Sequence, residues 1–123
     1  MIGKSIAYLL EQVNGDCVKA GRTKGLPKYP AIVYAMSDSS RNLNLDKSQV
    51  KPGNSMAIFD VDVLAKSYKE AETIASQVFD LLHGWSGFAV DTNISLIEVY
   101  ADATIFEDAE SVWAFPFTVT VHY

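Results

Sequence analysis

The stretch from Ser55 to Gly84 constrains the fold of this chain more than any other. It opens with Met56-Ala57-Ile58-Phe59-Asp60-Val61-Asp62-Val63-Leu64-Ala65. Ala57, Phe59, Val61 and Val63 recur at every second residue, which sets one apolar face along an extended strand. Ser67-Tyr68-Lys69-Glu70 follows, a serine with a glutamate three residues on. At that spacing the serine oxygen takes a free N–H of the first helical turn and the glutamate reaches back, a capping box. Ala71, Ile74, Ala75, Val78, Leu81 and Leu82 then fall three and four apart and predict a helix with one apolar face. Gly84 can take the left-handed conformation that ends it.

The rest of the chain supplies the partners of this unit. Ile2, Ile6, Leu9, Leu10 and Val13 share one helical face, with Lys4, Ser5, Glu11 and Gln12 largely off it, and Asn14-Gly15 ends the turn. The polar side has no excess of Lys or Arg, so this reads as a helix packed on the core rather than on a membrane surface. Cys17 to Ala20 is a candidate short strand. Gly21 to Pro27, with two glycines and a proline, reads as a loop. It is basic, but its spacing matches no phosphate-binding loop and no helix follows it. Tyr29-Pro30 opens a strand over Ala31–Met36, where a proline costs no ladder bond. Ser37 to Asn54 is polar and reads as one long loop, ending in the turn Pro52-Gly53. Trp85 to Phe88 reads as a connection. Asn93–Ala103 and Val112–Tyr123 read as strands, the second with Trp113, Phe115, Phe117, Val119, Val121 and Tyr123 on one face. Pro116 cannot donate to a ladder, so that strand is expected at an edge or bulged there.

Two hairpins and a crossover helix give an α+β fold: a mainly antiparallel sheet of four to five strands with two helices packed on one face. The 123 residues suit a single domain, with no internal repeat. A net charge of −5 argues against general attraction to phosphates. Cys17 is the only cysteine, so no internal disulfide forms and a reducing compartment is the simpler expectation. No secretion signal is visible, and no apolar run approaches the ~20 residues of a membrane helix.

Two helices cover one face of such a sheet and leave the other. On that second face Met56, Ile58 and Leu64 stand with Asp60 and Asp62, and Ile94, Leu96 and Tyr100 with Glu98 and Asp102. This is too apolar for water, and large exposed apolar patches mark interfaces. We expect another subunit to cover it; the alternative is cover by the first helix or the long loop. Within that loop Leu43, Leu45 and Val50 are apolar among Arg41, Lys47 and Lys51, so it either folds back on its own domain or meets a partner.

Among possible chemistries, Asp60 and Asp62 on one strand face, with Asp102 on a second strand as a candidate third ligand, are the sharpest, since paired carboxylates can hold catalytic metals. A lone D-x-D is also the ordinary polar part of a sheet face. His83 suits a helix C-terminus. His122 and Cys17 have no base or ligand at a useful spacing.

The whole pattern resembles a known family. It comprises an amphipathic N-terminal helix leading to Gly21-Arg22, then Tyr29-Pro30-Ala31-Ile32-Val33-Tyr34, Phe59-Asp60-Val61-Asp62-Val63 and Ser67-Tyr68-Lys69-Glu70-Ala71. Leu82-His83-Gly84, an acidic turn and Phe117-Thr118-Val119-Thr120-Val121-His122-Tyr123 complete it. This resembles the tail-completion, tail-terminator and head–tail joining proteins of long-tailed bacteriophages and prophages. The resemblance implies a structural virion protein without catalytic residues or cofactor, assembled in the bacterial cytoplasm and placed at the head–tail junction. It implies a ring of identical subunits, usually six, that caps the tail tube and meets the head connector while genomic DNA passes through without sequence-specific binding. The proposed subunit-interface or channel residues are Met56, Ile58, Asp60, Asp62, Leu64, Ile94, Leu96 and Tyr100, with loop residues Arg41, Leu43, Leu45, Lys47, Val50 and Lys51 contacting partners. The alternatives are a metal-dependent enzyme using Asp60 and Asp62, and a small dimeric ligand-binding sensor domain.

Overall fold

The strand at the head of the organising stretch lies mid-sheet. The computed structural model describes residues 2–14, 18–20, 29–41, 55–107 and 111–123. Its elements are α1 (Ile2–Asn14), β1 (Val18–Ala20), β2 (Ala31–Arg41), β3 (Ser55–Ala65), α2 (Tyr68–Leu82), β4 (Gly87–Ala89), β5 (Thr92–Ile94), β6 (Leu96–Ala101), β7 (Ile105–Glu107) and β8 (Val112–His122). The main sheet runs β1-β2-β3-β8-β6, and β7 pairs with β8 beyond the end of β6. Among the described residues only the β1–β2 pairing is parallel. β3 and β6 both run antiparallel to β8, so α2 is the crossover between them. The fold is α+β, with both helices on one face.

Alternation on the strands and the 3.6-residue period on the helices meet in one core. Phe59, Val61, Val63, Ile97, Val119 and Val121 point to it from the sheet, and Ile6, Leu9, Leu10, Ile74, Val78 and Leu82 from the helices. The Ser67 hydroxyl caps α2 by accepting the Glu70 N–H at 3.4 Å, and Gly84, at φ 79°, turns the chain away after His83. Among the described residues no helix is long and apolar enough to cross a membrane.

Four sequence expectations are corrected. First, the polar run after Met36 is not loop from its start: β2 continues through a register shift to Arg41, held by its ladder to β3, and Ser37 Oγ donates to Ile58 O at 3.2 Å. Residues 42–54 lie outside the described residues. Second, Trp85–Ala103 is not a connection plus one strand. It holds a hairpin, β4–β5, turned at Val90, whose φ of 58° is a conformation valine rarely takes, so no Gly or Asn announced the turn. Gly87 within it is obligatory, since its φ is 141° and an added Cβ would stand 3.3 Å from the Trp85 indole. The hairpin packs on α1, where Ser5, expected off the apolar face, is fully buried and donates to Ala89 O at 2.8 Å.

Third, Pro116 is neither at an edge nor in a bulge. β8 is interior, paired in continuous register with β3. The Pro116 carbonyl accepts from Asp102 N–H, so the side of the residue that lacks a donor faces the gap between β6 and β7. Fourth, the second face is partly covered within the chain. Leu64 is fully buried in a smaller cluster with Ala31, Val33, Val112 and Ala114, against Tyr29.

The β6 margin of the sheet is sealed. Gly84 N–H donates to Ile97 O at 2.8 Å, Ile97 N–H to Trp85 O at 3.0 Å, and Val99 N–H to His83 Nδ1 at 3.1 Å. The turn that stops α2 therefore occupies the hydrogen-bonding groups that an edge strand would otherwise present.

Candidate functional site

The remaining open face is built by the antiparallel register of β3, β8 and β6. Met56, His122 and Leu96 form one row; Ile58, Thr120 and Glu98 the next; Asp60, Thr118 and Tyr100 a third. Asp62 stands beside Pro116, with Val33 across on β2. Leu96 is 41% and Tyr100 54% exposed, so two large side chains are held in water by a rigid sheet. Asp60 is exposed; Met56, Ile58 and Asp62 are half-buried.

Of the eight interface residues expected from sequence, the structure brings six together on this face: Met56, Ile58, Asp60, Asp62, Leu96 and Tyr100. Leu64 belongs to the smaller cluster. Ile94 is on β5, only 1% exposed, and packs in the main core, because the chain breaks at Ser95 and loses the alternation assumed across it. Arg41 ends β2. Leu43, Leu45, Lys47, Val50 and Lys51 lie outside the described residues, as do Cys17 and the stretch Gly21–Pro27 expected to form a loop.

A polar network that the sequence did not disclose crosses the face. Tyr100 Oη donates to Glu98 Oε2 at 2.7 Å, and His122 Nε2 meets Glu98 Oε1 at 2.7 Å. Thr118 Oγ1 donates to Asp102 Oδ2 at 3.1 Å. The Tyr100 hydroxyl, and after it His122, hold the Glu98 carboxyl below its ordinary value. The same bond pushes the Tyr100 phenol up. Glu98 and Tyr100 are two apart on β6, but only the register of β6 on β8 brings His122 to Glu98 and Thr118 to Asp102, and their separation in sequence hides it.

Asp60, Asp62 and Asp102 are not brought together. Asp60 and Asp62 are on β3 and Asp102 follows β6, with β8 between, two strand spacings or about 10 Å apart. Among the described residues no group of three or more His, Cys, Asp or Glu could hold a metal ion. His83, at the end of α2, is engaged by its neighbours. Its Nδ1 accepts the Val99 N–H, and its ring stacks on Phe79 with centroids 4.9 Å apart.

A second feature lies on the other side of the sheet. Beside α2 runs an open groove of about 350 Å³, floored by Phe79, Phe115, Phe117 and Ala101 and edged by Glu72 and Asp80. An aromatic ladder continues it toward β7. Tyr68 lies 5.4 Å from Phe115 and 5.0 Å from Trp113, which lies 4.8 Å from Phe106. Tyr68 and Phe106 are nearly half exposed.

No protein-family model matches the sequence, and no curated protein does. Among solved structures, a chain from the virion of a native gene transfer agent particle shares the fold. The TM-score is 0.62 at 13% identity, over 98% of this chain and 95% of that one. At that identity the likeness shows the architecture, and it extends from end to end.

Proposed function

We propose that this chain is a structural, non-enzymatic protein of a phage-like virion. In this reading identical subunits close into a ring, six in the usual case, that caps the tail tube and forms the surface meeting the head connector. Genomic DNA passes through the opening without being read. The observation that carries the reading is the fold shared with a chain of a gene transfer agent virion, over 98% of this chain and 95% of that one. The open face supports it, because Met56, Ile58, Leu96 and Tyr100 among Asp60 and Asp62 suit a surface that another protein or the channel completes. The acidic balance suits an opening that must release DNA, since a basic lining would bind phosphates. A heterologous contact that closes makes a ring.

Light scattering and electron microscopy of the purified chain, alone and with tail-tube protein, test this. Rings or concentration-dependent association are expected. A strict monomer at high concentration, unchanged by tail-tube protein, rejects the reading.

A further inference from the structure

The β4–β5 hairpin holds two apolar side chains in water at a cost to its backbone. Among the described residues Phe88 is the most exposed large apolar side chain, at 70%, and Val90 is 50% exposed. Val90 is the first of the two turn residues, Val90 and Asp91, and its φ is 58°. Hairpin turns with positive φ at that residue favour glycine or asparagine, because a β-branched side chain strains the conformation. A valine at such a place points to a use for its side chain. The tip is also held firmly. Ala89 and Ile94 are in the main core, Ser5 Oγ donates to Ala89 O, and Gly87 backs onto the Trp85 indole. Phe88 pairs with Asn93 across the hairpin, so the phenyl ring and the exposed Asn93 amide share one face. The Thr92 hydroxyl donates to the Asp91 carboxylate at 2.9 Å.

The groove beside α2 is the matching hollow. Its volume of about 350 Å³ exceeds the ~150 Å³ that accepts one benzene ring, so it has room for Phe88 and Val90 together. Phe79, Phe115 and Phe117 offer edges and faces to a further aromatic ring. Glu72 and Asp80 at the lip are acceptors, and the Asn93 amide is a donor that suits them. Within one copy the two features do not fill each other, since Phe88 stands in water and no hairpin residue lines the groove. Strand addition is closed where Ile97 and Val99 already bond to residues 83–85, so a neighbour meets this flank with side chains.

We propose that copies of this chain join head to tail, with the Phe88–Val90 hairpin tip of one seated in the aromatic groove beside α2 of the next. This rests on the ring reading and assigns its subunit contact. A second copy is the occupant because this chain carries both the convex half and the concave half. Two different surfaces meet, so the contact is heterologous, as a closed ring requires. An apolar anchor inside a polar lip is the usual anatomy of a specific contact. The open sheet face is left for the channel or for the tail and head partners.

Two variants, each altering one of the two surfaces, test the pairing. Phe88→Ser removes the anchor at an exposed position. Ser76→Arg blocks the groove from an exposed position on α2, one turn from both Glu72 and Asp80, whose carboxylates can pair with the guanidinium. Circular dichroism and urea midpoints confirm that each folds. Light scattering reads assembly, alone and with tail-tube protein. Each variant by itself is expected to associate at least about tenfold more weakly than wild type. An equimolar mixture is expected to form one-to-one dimers and nothing larger, because one chain keeps the only intact groove and the other the only intact hairpin. Val90→Gly is expected to weaken association while its urea midpoint stays level or rises, since glycine relieves the turn. Variants that assemble as wild type does, or a mixture without dimers, overturn the proposed contact and leave the ring reading standing. So does a Ser76→Arg chain that self-associates normally but no longer binds tail-tube protein, which would give the groove to that partner. A wild-type chain that never associates, alone or with tail-tube protein, removes the ring reading itself.

Discussion

The two faces of the sheet are made by alternate residues of the same three strands, yet they solve different problems. On one, Phe59, Val61, Ile97, Val119 and Val121 are at most 1% exposed and carry the fold. On the other, side chains of similar size stand in water beside carboxylates. The lesson is that alternation separates what a strand does for its own domain from what it offers to others, residue by residue.

The sharpest break of that comparison is a matched pair of truncations. Phe59→Ala is expected to cost about 3–5 kcal/mol, the usual penalty for emptying a fully buried aromatic site. Tyr100→Ala on the open face is expected to cost under about 1 kcal/mol. Urea unfolding midpoints measure both, and equal losses would mean that the open face is a second core. Next in size is the effect of Asp60→Lys with Asp62→Lys, which should change assembly by light scattering while moving the unfolding midpoint little. Calorimetric titration with Mg²⁺ or Mn²⁺ accompanies it. Unchanged assembly together with lost metal binding would reverse the order in which these aspartates are read.

Smaller effects refine the picture. Ser67→Ala removes the helix cap and is expected to cost about 0.5–1 kcal/mol, the low end for such caps, because the bond is exposed and 3.4 Å long. Thermal unfolding with helical circular dichroism would detect it. The smallest expected effect is on pH dependence. The folded-state pKa of Glu98 is lowered, chiefly by Tyr100 and then by His122. The folded chain thus binds fewer protons there than the unfolded chain. Stability from this group is present above the ordinary carboxylate value and is lost as pH falls through the lowered one. Wild-type and Glu98→Gln midpoints compared from neutral to acid pH should therefore converge on acidification. A gap that widens toward acid would contradict the Tyr100–Glu98–His122 network.

The sequence made the central unit readable because each local signal agreed with the next. The period of β3, the Ser67 cap, the apolar stripe of α2 and the glycine at 84 all point one way, and local agreement of this kind marks a well-specified segment. Legibility failed where the signal was missing or non-local. Val90 turns the β4–β5 hairpin where neither Gly nor Asn marks it, and the break at Ser95 takes Ile94 out of the alternation that runs along β6. Polar composition over Ser37–Arg41 masked a strand whose order comes from its partner. Pro116 suggested an edge because the gap between β6 and β7 is a property of three strands together. The Glu98–His122 pair depends on register, and hydropathy carries none. Asp60 and Asp62 were visible as a pair from the outset, but their distance from Asp102 required the strand order.

The turn at His83–Trp85 has a consequence for how freely this chain can vary. Of the three bonds that close the β6 margin, two are made by main-chain atoms of Gly84 and Trp85, and only one by a side chain. Most substitutions leave main-chain groups untouched. Protection against runaway cross-β stacking is therefore held largely by the path of the backbone, and surrounding positions are left free to drift toward whatever partners the surface must recognise.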